Sequence, residues 1–487
     1  MLKSETERNG MNKLGAFLAG ILLLASATLS AQHSKVTIHG DAPDYAGATL
    51  TFMSFVDQVT YTRDTLASTV VAKDGTFEVM FANEQTRYVF LLLGVYEGYF
   101  FVEPGRSYRI DLPERQDKSQ ADLLNPYFEP TPYHLGIEDV KKKDLNYAIA
   151  WFDSAYEKAT TTYAYAFYQS KGDSVINALT EELEEQFIHY EQPYFREYVR
   201  YKLALLRHNA FQEKSTSISN NYFLHQPIHY QNIAYMELFH QVYDNYFEYF
   251  GRTANGSAIY PAINRYGSYT AVDTILAQNR VLENDTLKEL VMLKCLYDEF
   301  YDDSFSRRGM LAILDTLEQK TPMPEHKIIA QRVRERVTRL LPGYEPPDFA
   351  LYNRDSSLVT LNDFQGRYVY LGFCTSMSYA CIQEFEMLRS LQEQFNQYFE
   401  IVMICADKNL ATMRDFVNKK GYDWTFLHYG NQSDVLQKYD VRAFPTYYFI
   451  DDEGKLLMSP APSPAENLEI KVFEILRDRG ALQKREN

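Results

Sequence analysis

The sequence predicts three successive folded parts: an N-terminal β-sandwich, a central all-α domain and a C-terminal α/β domain. Three observations carry this reading. Between residues 33 and 113, short β-prone runs recur at even spacing with turn signals between them. From 137 to 340, apolar residues recur at helical spacing. After Pro342, strand-like and helix-like segments alternate, the pattern of an α/β sheet. A length of 487 residues accommodates about three domains at the ordinary 100–200 residues each.

A targeting segment precedes these parts. Lys13 leads the apolar run 14–25, and small residues follow through Ala27, Ser30 and Ala31 before Gln32. That order predicts a secretory signal peptide over residues 1–31, cleaved near Ala31, and hence a periplasmic protein. Met11 is an alternative start, because residues 1–10 add a polar extension that such signals do not need. No cysteine lies near the cleavage region, so a lipid anchor there is not supported. No later apolar run approaches the ~18 residues that a membrane span requires. The net charge of −16 argues against a nucleic-acid partner and against an anionic membrane surface. Tyrosine is abundant at 39 residues against 2 tryptophans. Tyrosine-rich surfaces can bind peptides or sugars, and the plainer alternative is helix packing with phenol tips in water.

In the first part, residues 33–113, the β-prone runs are Val36-Thr37-Ile38, Leu50-Thr51-Phe52-Met53, Val70-Val71-Ala72, Phe77-Glu78-Val79-Met80-Phe81, Tyr88-Val89-Phe90-Leu91 and Phe100-Phe101-Val102. Asp74-Gly75, Gly94 and Pro104-Gly105 punctuate them, and the layout predicts a small antiparallel sandwich. Residues 114–136 read as a linker, since Asn125-Pro126 and Glu129-Pro130-Thr131-Pro132 disfavour helix. The helical part, 137–340, shows Ile233, Met236, Phe239, Tyr243, Tyr246 and Phe250 at near-helical spacing, and likewise Leu287, Leu290, Leu293, Leu296 and Phe300. Pro193 suits the first turn of a helix. His225 and His229 lie four apart, but Pro227 between them opposes a helix that would present both to one metal ion. The sequence calls for no metal and no cofactor.

In the third part, 342–487, the strand-like run Tyr368-Val369-Tyr370-Leu371-Gly372-Phe373 leads into Ser378-Tyr379-Ala380-Cys381. A helical pattern follows, with Ile382, Phe385, Leu388, Leu391 and Phe395 on one face. Next come the strand through Ile401-Val402-Met403-Ile404-Cys405, a helix near 411–420 and Trp424-Thr425-Phe426-Leu427. A further helix near 435–439 precedes Phe444-Pro445-Thr446-Tyr447-Tyr448-Phe449-Ile450-Asp451, then a last strand after Gly454 and a final helix.

These residues resemble the TlpA-like (redoxin) branch of the thioredoxin family over about residues 342–480. The matching features are the prolines and Phe349 before the first strand, Asp363-Phe364-x-Gly366-Arg367, Cys381-x-x-Glu384, and Phe444-Pro445-Thr446 before Phe449-Ile450-Asp451. The resemblance implies a thioredoxin-like fold, a cis Pro445 packed beside the motif, and a groove in which an extended peptide pairs with the backbone of Phe444. The N-terminal part, with Asp74-Gly75-x-Phe77 and Val102-Glu103-Pro104-Gly105, resembles a small β domain of unknown function often found before thioredoxin domains.

The departures from the family carry the functional reading. A Cys-x-x-Cys pair is expected where a strand feeds a helix in this way, with the first cysteine at the helix N-terminus. Here Ser378 stands in the attacking position, Met377 replaces the usual tryptophan before it, and Cys374 occupies the tryptophan position three residues earlier. A hydroxyl forms no disulfide, so dithiol exchange between Ser378 and Cys381 is excluded. Two chemistries stay open: Cys381 as a single residual thiol, or a relocated pair of Cys374 with Cys405 near the ends of neighbouring strands. The expectation is a redox-degenerate module that binds a protein or peptide in the cell envelope. Tyr379, Met377, Phe444 and Pro445 would line the groove, and a thiol-disulfide oxidoreductase or peroxidase is the alternative.

Overall fold

The computed structural model describes residues 35–479 apart from 126, 168–171, 211–212 and 431–432. The signal-peptide segment 1–31 and Pro126 lie outside the described residues. The described chain forms two compact units: residues up to 117 together with 130–333, and residues 118–129 together with 334 onward.

The first unit opens with two sheets. β1 (Lys35–Asp41), β4 (Thr76–Ala82), β7 (Ser107–Asp111) and β9 (Gly136–Ile137) make one, in the order β4-β1-β7-β9. β2 (Thr49–Asp57), β3 (Thr62–Val70), β5 (Arg87–Leu93), β6 (Tyr96–Val102) and β8 (Thr131–His134) make the other, in the order β3-β2-β5-β6-β8. Strict alternation in β4 sends Phe77, Val79 and Phe81 inward, the mark of a strand with one dry face. Their side chains join Val36, Ile38, Phe52, Val89, Leu91 and Phe100 in one core, so the two sheets form a sandwich.

Three sequence expectations are corrected here. The third strand is not the run 70–72 but Thr62–Val70, an edge strand with no buried residue, whose polar sequence hid it. The sandwich is not purely antiparallel, because β1 pairs with β7 and β6 with β8 in parallel. The segment 114–136 is not a bare linker: it supplies β8 and a short helix, Gln120–Leu124, capped by Ser119.

Among the described residues, helices occupy most of 145–338. Pro193 opens the helix Pro193–Asn209 behind a Gln192 cap whose Oε1 accepts from Phe195 N–H at 2.6 Å. The periodic run from Ile233 to Phe250 is two helices, Ile233–Val242 and Tyr246–Gly251, because Asn245 adopts a left-handed conformation (φ 45°) between them. The helix Asp285–Asp298 is buried along most of its length, charges included. Its Lys288 reaches Asp273 and Asp285, each at 2.9 Å, and its Glu289 accepts from His326 Nδ1 at 2.6 Å. His225 and His229 lie in the loop between the helices Ser215–Tyr222 and Ile233–Val242, so no helix face carries both.

The helices reach the sandwich through a specific polar link. Asn146, buried on the helix Leu145–Phe167, donates Nδ2–H to the carbonyl of Phe101 and accepts its N–H, both at 2.7 Å. The amide thus completes β6 where β8 has ended.

The second unit contains a seven-stranded sheet in the order β11-β10-β14-β13-β12-β15-β16. The strands are β10 (Ala350–Asn353), β11 (Leu358–Thr360), β12 (Tyr368–Cys374), β13 (Phe399–Cys405), β14 (Thr425–His428), β15 (Thr446–Ile450) and β16 (Leu456–Ala461). β12, β13 and β14 run parallel, and β15 is antiparallel to β12. Helices Tyr379–Phe395, Leu410–Lys420, Ser433–Lys438 and Leu468–Asp478 complete a thioredoxin-like α/β domain.

A buried carboxyl gives the first unit a testable property. Glu299 accepts the N–H groups of Phe247 at 2.9 Å and Glu248 at 2.8 Å, capping a helix that lacks its own side-chain cap. Burial raises its pKa from 4.5 to about 7, against the lowering effect of those two N–H groups. The folded state therefore holds a proton that the unfolded chain has lost between about pH 4.5 and 7. The stability Glu299 contributes is full below that window and declines as pH rises through it. In denaturant melts, wild type should lose stability relative to Glu299→Gln as pH is raised from 5 to 7.5, and a constant difference would refute this.

Candidate functional site

The parity of the central strands builds the site. On β12, Val369, Leu371 and Phe373 face one core, while Tyr368, Tyr370 and Cys374 face the other with the helix Tyr379–Phe395. On β13, Ile401, Met403 and Cys405 share that second face. Gly372 belongs to it as well, where a Cβ would lie 2.6 Å from the Met403 side chain and 2.9 Å from the Tyr447 ring. A larger residue there would have to displace both the Met403 side chain and the Tyr447 ring.

The three cysteines of this unit consequently meet on one side of the sheet. Cys374 and Cys405 are direct register partners in the parallel pair β12–β13. At the ~4.8 Å spacing of neighbouring strands, that brings their thiols within reach of each other. Cys405 Sγ is 3.2 Å from Asp407 Oδ2 and within hydrogen-bonding reach of Cys374. Its single S–H can serve only one of them, and the carboxylate is the stronger acceptor. Cys405 therefore donates to Asp407. All three thiols are free and fully buried. Burial raises Cys374 and Cys381, while the neighbouring Cys374 and burial together hold Cys405 well above the ordinary thiol range.

Ser378 is the N-cap of the helix Tyr379–Phe395. Its Oγ accepts the Cys381 N–H at 3.3 Å and lies 3.5 Å from the Phe444 carbonyl, to which its hydroxyl can donate. Serine is among the best N-cap residues, so the substitution that removes the nucleophile also strengthens the helix start. Cys381, in the first turn, has no exposed surface and gains little thiolate character from the helix terminus. The Phe444–Pro445 peptide bond is cis. Phe444 is half-buried against both cores, whereas Met377 is 87% and Tyr379 74% exposed at the motif's rim.

A carboxylate that sequence reasoning missed organises the loop before the helix. Asp407, buried just beyond β13, accepts from Thr375 Oγ1 at 2.9 Å, Ser376 N–H at 2.9 Å and Ser376 Oγ at 3.0 Å. The available signal was an acidic residue closing an otherwise apolar strand. His428, the register partner of Cys405, is also committed. Its Nδ1 accepts the Gly430 N–H at 3.1 Å, so the proton sits on Nε2 and is donated to the Asp407 carbonyl at 2.8 Å. With both ring nitrogens bonded to backbone, it is not placed as a base for Ser378. Glu384 accepts from Tyr447 OH at 2.8 Å, and burial lifts its pKa.

This arrangement has counterparts. Residues 342–458 match the AhpC/TSA family model. The C-terminal segment is thus an AhpC/TSA (redoxin) domain of thioredoxin-like fold, with thiol-disulfide oxidoreductases among its relatives. The thioredoxin-like protein YneN of Bacillus subtilis is 28% identical over 115 residues, covering 23% of this chain and 66% of that protein. The thiol-disulfide oxidoreductase ResA of Bacillus thuringiensis subsp. konkukian is 27% identical over 117 residues, covering 24% of this chain and 66% of its own. The chain therefore spans just under two thirds of the length of these relatives. Among solved structures, the thioredoxin domain of a Bacteroides vulgatus thiol-disulfide oxidoreductase matches at 23% identity, TM-score 0.26, covering 28% of this chain and 98% of that one. A thiol-disulfide oxidoreductase from Bacteroides fragilis matches at 23% identity, TM-score 0.25, covering 27% and 100%.

Asp407→Ala should leave part-buried donors of Thr375 and Ser376 without an acceptor. We expect a destabilisation of about 1–3 kcal/mol in denaturant melts. A change within error of zero would show that water replaces the carboxylate.

Proposed function

We propose that the C-terminal domain is a redox-degenerate thioredoxin-like module that binds an extended segment of a protein partner at the groove between Ser378 and Phe444-Pro445. The observation that carries this reading is the contrast between thiols and rim. Every cysteine of the domain is buried with its thiol pushed up, whereas Met377 and Tyr379 offer apolar and aromatic surface to solvent beside Phe444. Large exposed side chains around an inert motif suit binding better than turnover. The targeting segment around Lys13 and residues 14–25 supports a periplasmic location, with the partner in the cell envelope.

A reduced, carboxymethylated unfolded protein is a suitable test ligand. Fluorescence anisotropy should show saturable binding that Phe444→Asp weakens at least tenfold with the circular dichroism spectrum unchanged. Binding that survives Phe444→Asp and Tyr379→Ala together would remove the groove from the proposal.

A second reading has its own observation. Cys374 and Cys405 are direct register partners, which keeps a relocated thiol pair in play as a thiol-disulfide oxidoreductase. Wild-type protein should not catalyse insulin disulfide reduction, since no thiol is both exposed and acidic. Turnover abolished by Cys405→Ser and retained in Cys381→Ser would establish the second reading in place of the first. Ser378→Cys should restore an oxidisable pair with Cys381, measured as the loss of two free thiols on oxidation.

A further inference from the structure

The first unit contains a cavity of about 530 Å³ between the five-stranded sheet and the helices, remote in sequence from the motif. Its volume falls within the ~300–1,000 Å³ usual for small-molecule sites. One wall is made by strand parity. In β5 and β6 the residues Val89, Leu91, Phe100 and Val102 enter the sandwich core, so Tyr88, Phe90, Tyr99 and Phe101 face the opposite way. Register pairs Tyr88 with Phe101 and Phe90 with Tyr99. Tyr88 stacks on Tyr99 at 5.3 Å and on Phe55 at 6.1 Å, and Tyr61 closes on Phe55 edge-on at 5.8 Å. Behind Tyr61, the His240 ring stacks at 5.1 Å, and burial favours its neutral form, so no imidazolium occupies that face.

The facing wall is acidic. Asp153 and Glu157 come from the helix Leu145–Phe167, and Glu237 from Ile233–Val242. Lys202 is the cation lining this wall, and it is held by Glu237 at 2.7 Å. Arg63, at the margin, is paired with Glu97 at 3.3 Å. Asp153 receives the Tyr198 phenol at 2.9 and 3.1 Å and, among the described residues, forms no ion pair. The groups facing it are Tyr198 and Lys202 from one helix, Glu237 from a second, Glu157 from its own and Tyr99 from the sheet. Burial lifts its pKa to about 6 against the lowering effects of the Tyr198 phenol and Lys202, so it is a desolvated carboxylate held in no ion pair among the described residues.

We propose that this cavity binds a small organic ammonium ion, with the charged head on Asp153 and the carbon chain along the Tyr88–Tyr99 wall. Aromatic faces attract cations through their quadrupole, and a carboxylate beside them supplies the counter-charge that a neutral ligand would leave unused. A chain of methylenes matches the flat wall, while a lone metal ion would leave most of the cavity empty.

The test is isothermal titration calorimetry on the full chain at pH 7.5 with cadaverine, against 1,5-pentanediol as an uncharged probe of equal length. Cadaverine should bind saturably in wild type, and pentanediol at least tenfold more weakly. Asp153→Asn and Tyr88→Leu should each weaken cadaverine at least tenfold, with unchanged circular dichroism. The absence of cadaverine binding at millimolar concentration overturns the proposal, and so does equal affinity for the diol, a comparison that needs no variant. Preferential binding of cellobiose overturns it as well, because that would make the aromatic wall a sugar platform.

Discussion

Strand β12 is buried along all seven of its residues, and the C-terminal unit is arranged around that constraint. A strand covered on both faces must alternate its side chains between two separate cores, and period-two geometry admits no slip. The same parity that places Leu371 and Phe373 in one core sends Tyr370 and Cys374 into the other, beneath the motif helix. β13, in parallel register, repeats the pattern and sets Cys405 beside Cys374. The juxtaposition of Cys374 and Cys405 thus follows from sheet parity.

Replacing a nucleophilic cysteine by serine changes what the start of the helix does. A thiolate at this position would draw on the unpaired N–H groups for its acidity. A serine hydroxyl uses one of them for capping and hands its own proton toward the Phe444 carbonyl. Asp407 then fastens the preceding loop through three hydrogen bonds. The thiols below the motif are consequently buried, while Met377 and Tyr379 remain exposed above.

The N-terminal unit is organised by a different economy of side chains. Its sandwich turns a mainly aliphatic face of β5 and β6 to the core and an aromatic face to the helices, and the Asn146 amide ties the two layers at Phe101. Charged groups on the buried helix Asp285–Asp298 are matched one by one, as Lys288 and Glu289 are. Asp153 is hydrogen-bonded to a phenol and, among the described residues, forms no ion pair, and for that reason its surroundings carry a binding proposal where the paired charges do not.

The sequence by itself determined the order of β, helical and α/β parts, because periods of 2 and 3.6 are local properties of the chain. It also determined that serine and not cysteine stands at residue 378, since that is a matter of which atoms are present. The β4 run from Phe77 to Phe81 and the helix after Ser378 were legible for the same reason. β3 was not, because an exposed edge strand needs no apolar face, and neither was β8, whose stability comes from pairing with β6. Tertiary structure alone decided that Asp407 anchors a loop about thirty residues earlier, that all three thiols are closed off, and that Asp153 faces Tyr88 across a cavity. Each of these depends on side chains far apart in sequence being brought together by packing, and local periodicity carries no record of that.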